Sequence, residues 1–176
     1  MGELKCKSPR ESQVETRYIV MPQHANDYGI AFGGAIMSWI DMVAAMVAQK
    51  HCECEVVTVS TDKISFHEPI KIGDHVVLKA SANYVGNTSM EVGVVVIKEN
   101  PYTRESIRAT TAYLTFVGIN AQKQPTPILR LLPETPDEIR RHENAKLRVE
   151  ARRELLKKIK LKHASSSASE TPAHRA

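Results

Sequence analysis

The chain has 176 residues, enough for one domain with a substantial core. Its 42% hydrophobic and 25% charged content is that of a soluble globular protein, and with only 5% aromatics the core must be mainly aliphatic. The net charge of +4 is uneven: residues 138–163 hold ten Lys/Arg against four Glu and alone carry +6, which leaves −2 for the rest. A near-neutral body argues against a nucleic-acid-binding fold. The long apolar run, residues 32–49, is too short for a bilayer span and contains Gly33, Gly34 and Asp41, so no stable membrane insertion is expected. The first residues lack the pattern of a signal peptide. Three cysteines, Cys6, Cys52 and Cys54, then read as free thiols in a reducing cytoplasm. His51 stands beside Cys52 and Cys54, but no second ligand pair appears, so ordinary thiols and no metal are expected.

In chain order, residues 1–12 are polar and read as mobile. QVETRYIVM (13–21) reads as a short strand, and PQHANDYG (22–29) as a loop of turn formers. Residues 33–50 read as a helix without internal proline. Four strand-like segments follow: 56–66, 75–84, 89–99 and 106–119, separated by EPIKIGD, VGNT and NPYTRE. Short links suggest an antiparallel meander. One helix wrapped by a curved antiparallel sheet buries both in a single α+β core. Such a sheet with one helix needs more cover, which points to self-association. QKQPTPILRLLPETP (122–136) is too proline-rich for regular structure. Residues 137–162 read as a charged helix with a thin apolar stripe at Leu147, Ala151, Leu155 and Ile159. A solvated, partly frayed helix is expected there; packing along an assembly or attraction to anionic lipid are the other readings. The division is therefore 13–130 for the domain, 131–163 for a basic extension and 164–176, ASSSASETPAHRA at its end, for a disordered tail.

The helix carries the chemical signal. At about 100° per residue, Gly34, Ser38, Asp41, Ala45 and Ala48 share a side, opposite Ile36, Trp39, Ile40, Val43 and Val47. All of the first group except Asp41 are small, so a backbone or a thin ligand can come close to the axis. The glycine start leaves N–H groups that can stabilise an oxyanion. Asp41 can serve as general base or attack directly, which suggests hydrolysis. From Gly34 to Asp41 the helix rises about 10 Å, too far for both to act simply on one carbon. Two subunits sharing a site would ease this. Asp41 could instead cap a turn, pair with a buried lysine or sit at a wet subunit contact, and periodicity does not separate these readings.

MPQHANDYGIAFGGAIMSWIDMVAAMVAQKH resembles the hot-dog-fold acyl-CoA thioesterases of the cytosolic acyl-CoA hydrolase type. Asn26 in a proline-started loop, Gly33-Gly34 and helical Asp41 match the family pattern, as does the Asn-to-Asp spacing of fifteen. FHEPIKIGDHV, GNTSMEV and AYLTFVGI followed by PTP look like its later motifs. The resemblance covers about residues 13–128. It implies a hot-dog fold with the long helix as the sausage, sheets joined side by side in a dimer, and a trimer of dimers. It implies sites at the dimer interface: Asn26 from one subunit orienting water or carbonyl, Asp41 from the other as base or nucleophile, and the N–H near Gly34 as oxyanion donor. Gly33, Thr88 and Ser89 would contact substrate, although Thr88 and Ser89 read equally as a plain hairpin turn.

The resemblance thus implies hydrolysis of fatty acyl-CoA to fatty acid and CoA, with no cofactor beyond the CoA of the substrate. A non-catalytic acyl-CoA sensor is the alternative. Lys63, Lys98, Arg104 and Lys123 are candidate phosphate contacts by charge alone, and each reads first as solvated surface. His24 reads as a loop residue and His67 as structural or exposed. No Gly-x-Ser-x-Gly elbow, dinucleotide fingerprint or Walker motif is present.

Overall fold

The computed structural model describes residues 6–103 and 105–168, with side chains as far as Leu161. In chain order its elements are β1 (Cys6–Lys7), α1 (Pro9–Ser12), β2 (Val14–Ile19), α2 (Gly33–Cys52), β3 (Glu55–Thr61), β4 (His75–Val85), β5 (Ser89–Glu99), β6 (Ser106–Ile119), β7 (Arg130–Leu131) and α3 (Pro136–Ala168).

With no internal proline and its glycines confined to the first turn, α2 runs for 20 residues. It stops where Glu53 turns left-handed at φ 56°, its N–H donating to Gln49 O at 2.9 Å. Ile36, Trp39, Ile40, Val43 and Val47 are buried, as the periodicity requires. The small-residue side is less uniform than expected: Ser38 and Asp41 are exposed, but Ala48 turns fully into the core.

The sheet has the order β2-β4-β5-β6-β3, antiparallel throughout. Its alternation sends Met90 and Phe116 into the core against α2, so neighbouring Ser89 and Val117 point to the opposite, convex face. Only β4, β5 and β6 form the expected meander; β3 crosses over to pair with β6 and becomes an edge. β3 also ends at Thr61 rather than residue 66, after a bulge between Thr58 and Ser60 shifts its register by one residue. The link into β4 turns at Gly73, whose φ of +91° suits glycine, while the Asp74 carboxylate accepts the Lys71 N–H at 2.8 Å.

Three departures from the sequence reading lie outside the sheet. Cys6–Ser12 is ordered, not mobile: β1 pairs in parallel with β7, and α1 buries Ser12. That pairing also gives the proline-rich segment a two-residue strand. The helix is assigned as far as Ala168, past the expected boundary at residue 163, while residues 169–176 of the expected disordered tail lie outside the described residues, as do residues 1–5.

The largest departure is α3, which is docked rather than solvated. Ala145 is fully buried, and Glu91, 1% exposed on β5, sits between Arg148 (2.7 Å) and Arg152 (2.9 Å). Arg152 also reaches Asp62 at 2.7 Å, and Arg148 stacks over the Tyr113 ring at 3.6 Å. Charged pairs hold this helix, whereas Leu147, Leu155 and Ile159 of the expected stripe are exposed.

His51 locks α1 to the core. Its Nδ1 lies 3.3 Å from Ser12 Oγ and its Nε2 3.1 Å from Leu129 O, and burial holds its pKa below the ordinary histidine value. Because the unfolded chain takes up this proton more readily, stability should fall as pH drops below about 6.5. Urea midpoints measured from pH 7.5 to 5 should show this slope in the native chain, and a shallower one in His51→Gln.

Candidate functional site

The loop before α2 is organised by its own side chains. Asn26 Oδ1 accepts the N–H of Tyr28 (3.1 Å) and of Ile30 (3.2 Å), while Gly29, at φ 69°, donates its N–H to Asn26 O at 2.9 Å. The amide N–H2 of Asn26 donates to no acceptor among the described residues, and the residue is exposed. Phe32 N–H donates to His24 O at 2.7 Å, which folds the loop back on the helix start. His24 is structural: its ring meets Trp39 edge-on at 5.0 Å, and its Nδ1 accepts the Met21 N–H.

At the helix start, the N–H groups of Gly33 and Gly34 find no backbone acceptor among the described residues. A Cβ on Gly34 would lie 2.3 Å from Phe32 Cε1, so the missing side chain makes room for the Phe32 ring; a Cβ on Gly33 would only touch Phe66, at 3.7 Å. Two turns along, Asp41 is exposed, and its Oδ1 accepts the Thr58 hydroxyl of β3 at 2.9 Å. Met37, Met42 and Met46 flank it on the open side of α2, and Val57, Val59, Phe32 and Phe66 are exposed too. A carboxylate held by a hydroxyl beside an apolar strip can handle a proton next to a greasy chain.

The structure brings Asp41 to Thr58 but leaves the other expected residues apart within one chain. Gly33 lies beside Phe66, near the Ala109 end of β6. Thr88 and Ser89 lie at the other, where Thr88 O accepts the Gly118 N–H at 2.9 Å and Gly86 N–H donates to Ser89 O. Ser89 faces the convex side, away from Asp41. Of the basic candidates, Lys98 donates to Pro69 O, Lys123 pairs with Glu55, and Lys63 lines a cleft with His67 and Arg108; Arg104 lies outside the described residues. Cys52 and Cys54 place their sulfurs 2.6 Å apart, and burial pushes the Cys52 thiol up to about 12. A cavity of about 640 Å³ lies elsewhere, under α3 on the convex face.

Thr58 is the residue that sequence reading missed. It stood inside the expected strand as a lone polar residue in Val-Val-Thr-Val, and its pattern alone did not tell which helix carboxylate it would meet.

A long helix enfolded by a curled antiparallel sheet, open along the side that bears Asp41, is the hot-dog architecture of thioester-cleaving proteins. Residues 28–105 match the Thioesterase superfamily, and the chain belongs to that family. The "Uncharacterized acyl-CoA thioester hydrolase YkhA" of Bacillus subtilis is 41% identical over 144 residues, 82% of this chain and 84% of that one. The cytosolic acyl coenzyme A thioester hydrolase of Rattus norvegicus is 35% identical over 150 residues, 81% of this chain but 39% of that longer one. Among solved structures, an acyl-CoA hydrolase from Staphylococcus aureus in complex with butyryl coenzyme A, coenzyme A and coenzyme A disulfide superposes with a TM-score of 0.83 at 34% identity, over 94% of this chain and 99% of that one. Variants of the same enzyme replace an aspartate, an asparagine or a threonine by alanine. An apo-hexameric acyl-CoA thioesterase superposes at 0.84 with 33% identity, over 86% of this chain and 97% of that one.

Asn26 has two separable tasks, since its oxygen braces the loop and its amide points free. In hydrogen exchange, Asn26→Ala should speed the Tyr28 and Ile30 amides at least tenfold, while Asn26→Asp, which keeps the acceptor, should leave them protected.

Proposed function

We propose that the chain hydrolyses fatty acyl-CoA to free fatty acid and CoA. The observation that carries this is Asp41: an exposed carboxylate in mid-helix, oriented by Thr58 at 2.9 Å and flanked by methionines. Support comes from the S. aureus enzyme, whose altered asparagine, aspartate and threonine stand at the same sequence spacings as Asn26, Asp41 and Thr58.

In this reading the acyl chain lies along the methionine strip, and the thioester carbonyl oxygen meets the free N–H groups at Gly33 and Gly34. Those groups and the positive end of α2 stabilise the oxyanion as it forms. Asp41 either takes a proton from the attacking water or attacks the carbonyl carbon itself, forming an anhydride that water opens. The Asn26 amide orients the water or the carbonyl. On the first route the carbon–sulfur bond breaks as the tetrahedral adduct collapses, and on the second it breaks as the anhydride forms, before water opens it; on both, CoA leaves as a thiolate that picks up a proton. The reaction asks for water and these groups, with no added cofactor.

One chain cannot supply all of this at a single carbon, because Gly34 and Asp41 are about 10 Å apart along the axis. The site therefore forms between two copies, with Asn26 and the glycines from one and Asp41 from its neighbour. The uncovered β3 edge and the open side of α2 are the surfaces such a dimer would bury, and a trimer of dimers is the larger assembly, in line with the hexameric relative. Thr88 and Ser89, remote from Asp41 in their own chain, would meet the CoA portion from another copy. No helix among the described residues is long and apolar enough to cross a membrane. The cytoplasm is the compartment proposed, as the name of the rat relative suggests for that protein.

The test is release of free thiol from short, medium and long acyl-CoA. Asp41→Asn should abolish it with the assembly intact; unchanged turnover would remove Asp41 from the mechanism. Binding of acyl-CoA by the native chain without thiol release would select a sensor instead. Thr58→Val, which loses a hydrogen bond to a carboxylate, should lower kcat about tenfold with KM changed less.

A further inference from the structure

α3 crosses the convex face from the β2 side to the β3 edge. Its early residues line the cavity beside Val14 and Glu15 of β2, and His142 Nδ1 lies 3.0 Å from Asn83 O on β4. Arg148 reaches Glu91 on β5, and Arg152 reaches Thr115 on β6 and Asp62, which prolongs the line of β3. From His142 to Arg152 the helix rises about 15 Å, roughly three strand spacings. The sheet ends there, and the helix does not. It runs about 24 Å further to Ala168, and every residue from Arg153 to Leu161 is exposed.

The overhang keeps the docked face. Positions 148, 152, 155, 156 and 159 fall on one side of the helix. The first two grip the sheet; the next three are Leu155, Leu156 and Ile159, exposed by 58%, 58% and 42% with nothing beneath them in the protomer. Arg153, Lys157 and Lys160 take the opposite side. The β3 edge is apolar as well, with Val57 and Val59 exposed by 42% and 53%, and its outer side has no strand partner among the described residues.

We infer that the overhang of α3 docks on the convex face of a second copy of this chain and clasps the dimer across the β3 edge. The inference rests on the side-by-side dimer proposed above. Antiparallel pairing of β3 with its copy carries the end of one strand to the start of the other. α3 leaves its own sheet at Asp62, just past the end of β3, so it passes over the start of the neighbouring β3. There Val57 points to the convex face in one row with Val117 and Ser89, an apolar seat that α3 of the same copy leaves open. The start of β3 also carries Glu53 and Glu55, opposite in sign to the flanks of the overhang; both already pair within the protomer, with Lys7 and Lys123, so the apolar contact carries the argument.

The full chain with Leu155→Glu and Ile159→Glu together tests this, since neither side chain supports its own protomer. In sedimentation velocity over a dilution series, the dimer dissociation constant should rise at least tenfold with an unchanged circular dichroism spectrum. Val57→Cys combined with Ile159→Cys should yield, on mild oxidation, a disulfide-linked dimer that neither single variant yields. A native dimer whose affinity ignores the two glutamates and whose cysteines do not cross-link would overturn the clasp and leave the dimer standing. A native chain that sediments as a monomer at every concentration would sink both. Phosphatidylglycerol vesicles that bind the native chain but not the double variant, with self-association unaltered, would assign the overhang to a lipid surface and overturn the clasp.

Discussion

One helix against one curled sheet can bury only half of each. α2 gives its Ile36–Trp39–Ile40–Val43–Val47 side to the core and leaves Met37, Asp41, Met42 and Met46 outside. The sheet gives its concave face to α2 and needs other cover for its convex face. Everything else in the molecule answers one of these two deficits. The convex face is covered by a charged helix, and the open side of α2 is where apolar side chains, a carboxylate and unpaired helix-start amides remain in view. An unpaired carboxylate would be costly in the core; on this side water and the Thr58 hydroxyl solvate it.

The same geometry explains why the reactive groups do not converge within one chain. A helix separates its positions along a straight axis, so its N-terminal amides and a mid-helix side chain cannot meet at one atom. A second copy in reversed orientation would remove that obstacle, by bringing the amides of one helix toward the carboxylate of the other. The short edge strand β3 has a part in both deficits. It carries Thr58 on the side of α2, and its outer backbone is free to continue the sheet.

Much of this was readable in the sequence, and the exceptions share a cause. The strands at 75–84, 89–99 and 106–119 and the helix at 33–50 follow from local alternation and helical periodicity, and the structure places them within a residue or two of those bounds. The family motifs located Asn26, the glycine pair and Asp41, although their roles remain a proposal. What escaped depends on distant partners. Cys6–Lys7 becomes a strand only because residues 130–131 lie beside it. β3 is displaced by one residue at its bulge, and its ladder with β6 runs only as far as Thr61 opposite Leu114. α3 was read by its leucine stripe, yet it docks through Arg148 and Arg152, whose acceptor Glu91 sits 57 positions from the nearer arginine. Composition gives the charges, and only the fold says which of them meet.

Glu91 also bears on the order in which the chain acquires its shape. The β4–β5–β6 hairpins are local and can close early, but closing them plants a carboxylate in the middle of a face that has no cation of its own to neutralise it at that position. The two guanidinium groups arrive from a helix that follows every strand in the chain. Until that helix settles, water must hydrate Glu91, and the sheet stays open above it. A helix that follows these strands in the chain is thus the segment that seals the domain, and a chain with the strands in place but α3 undocked would still be an unfinished, sticky intermediate.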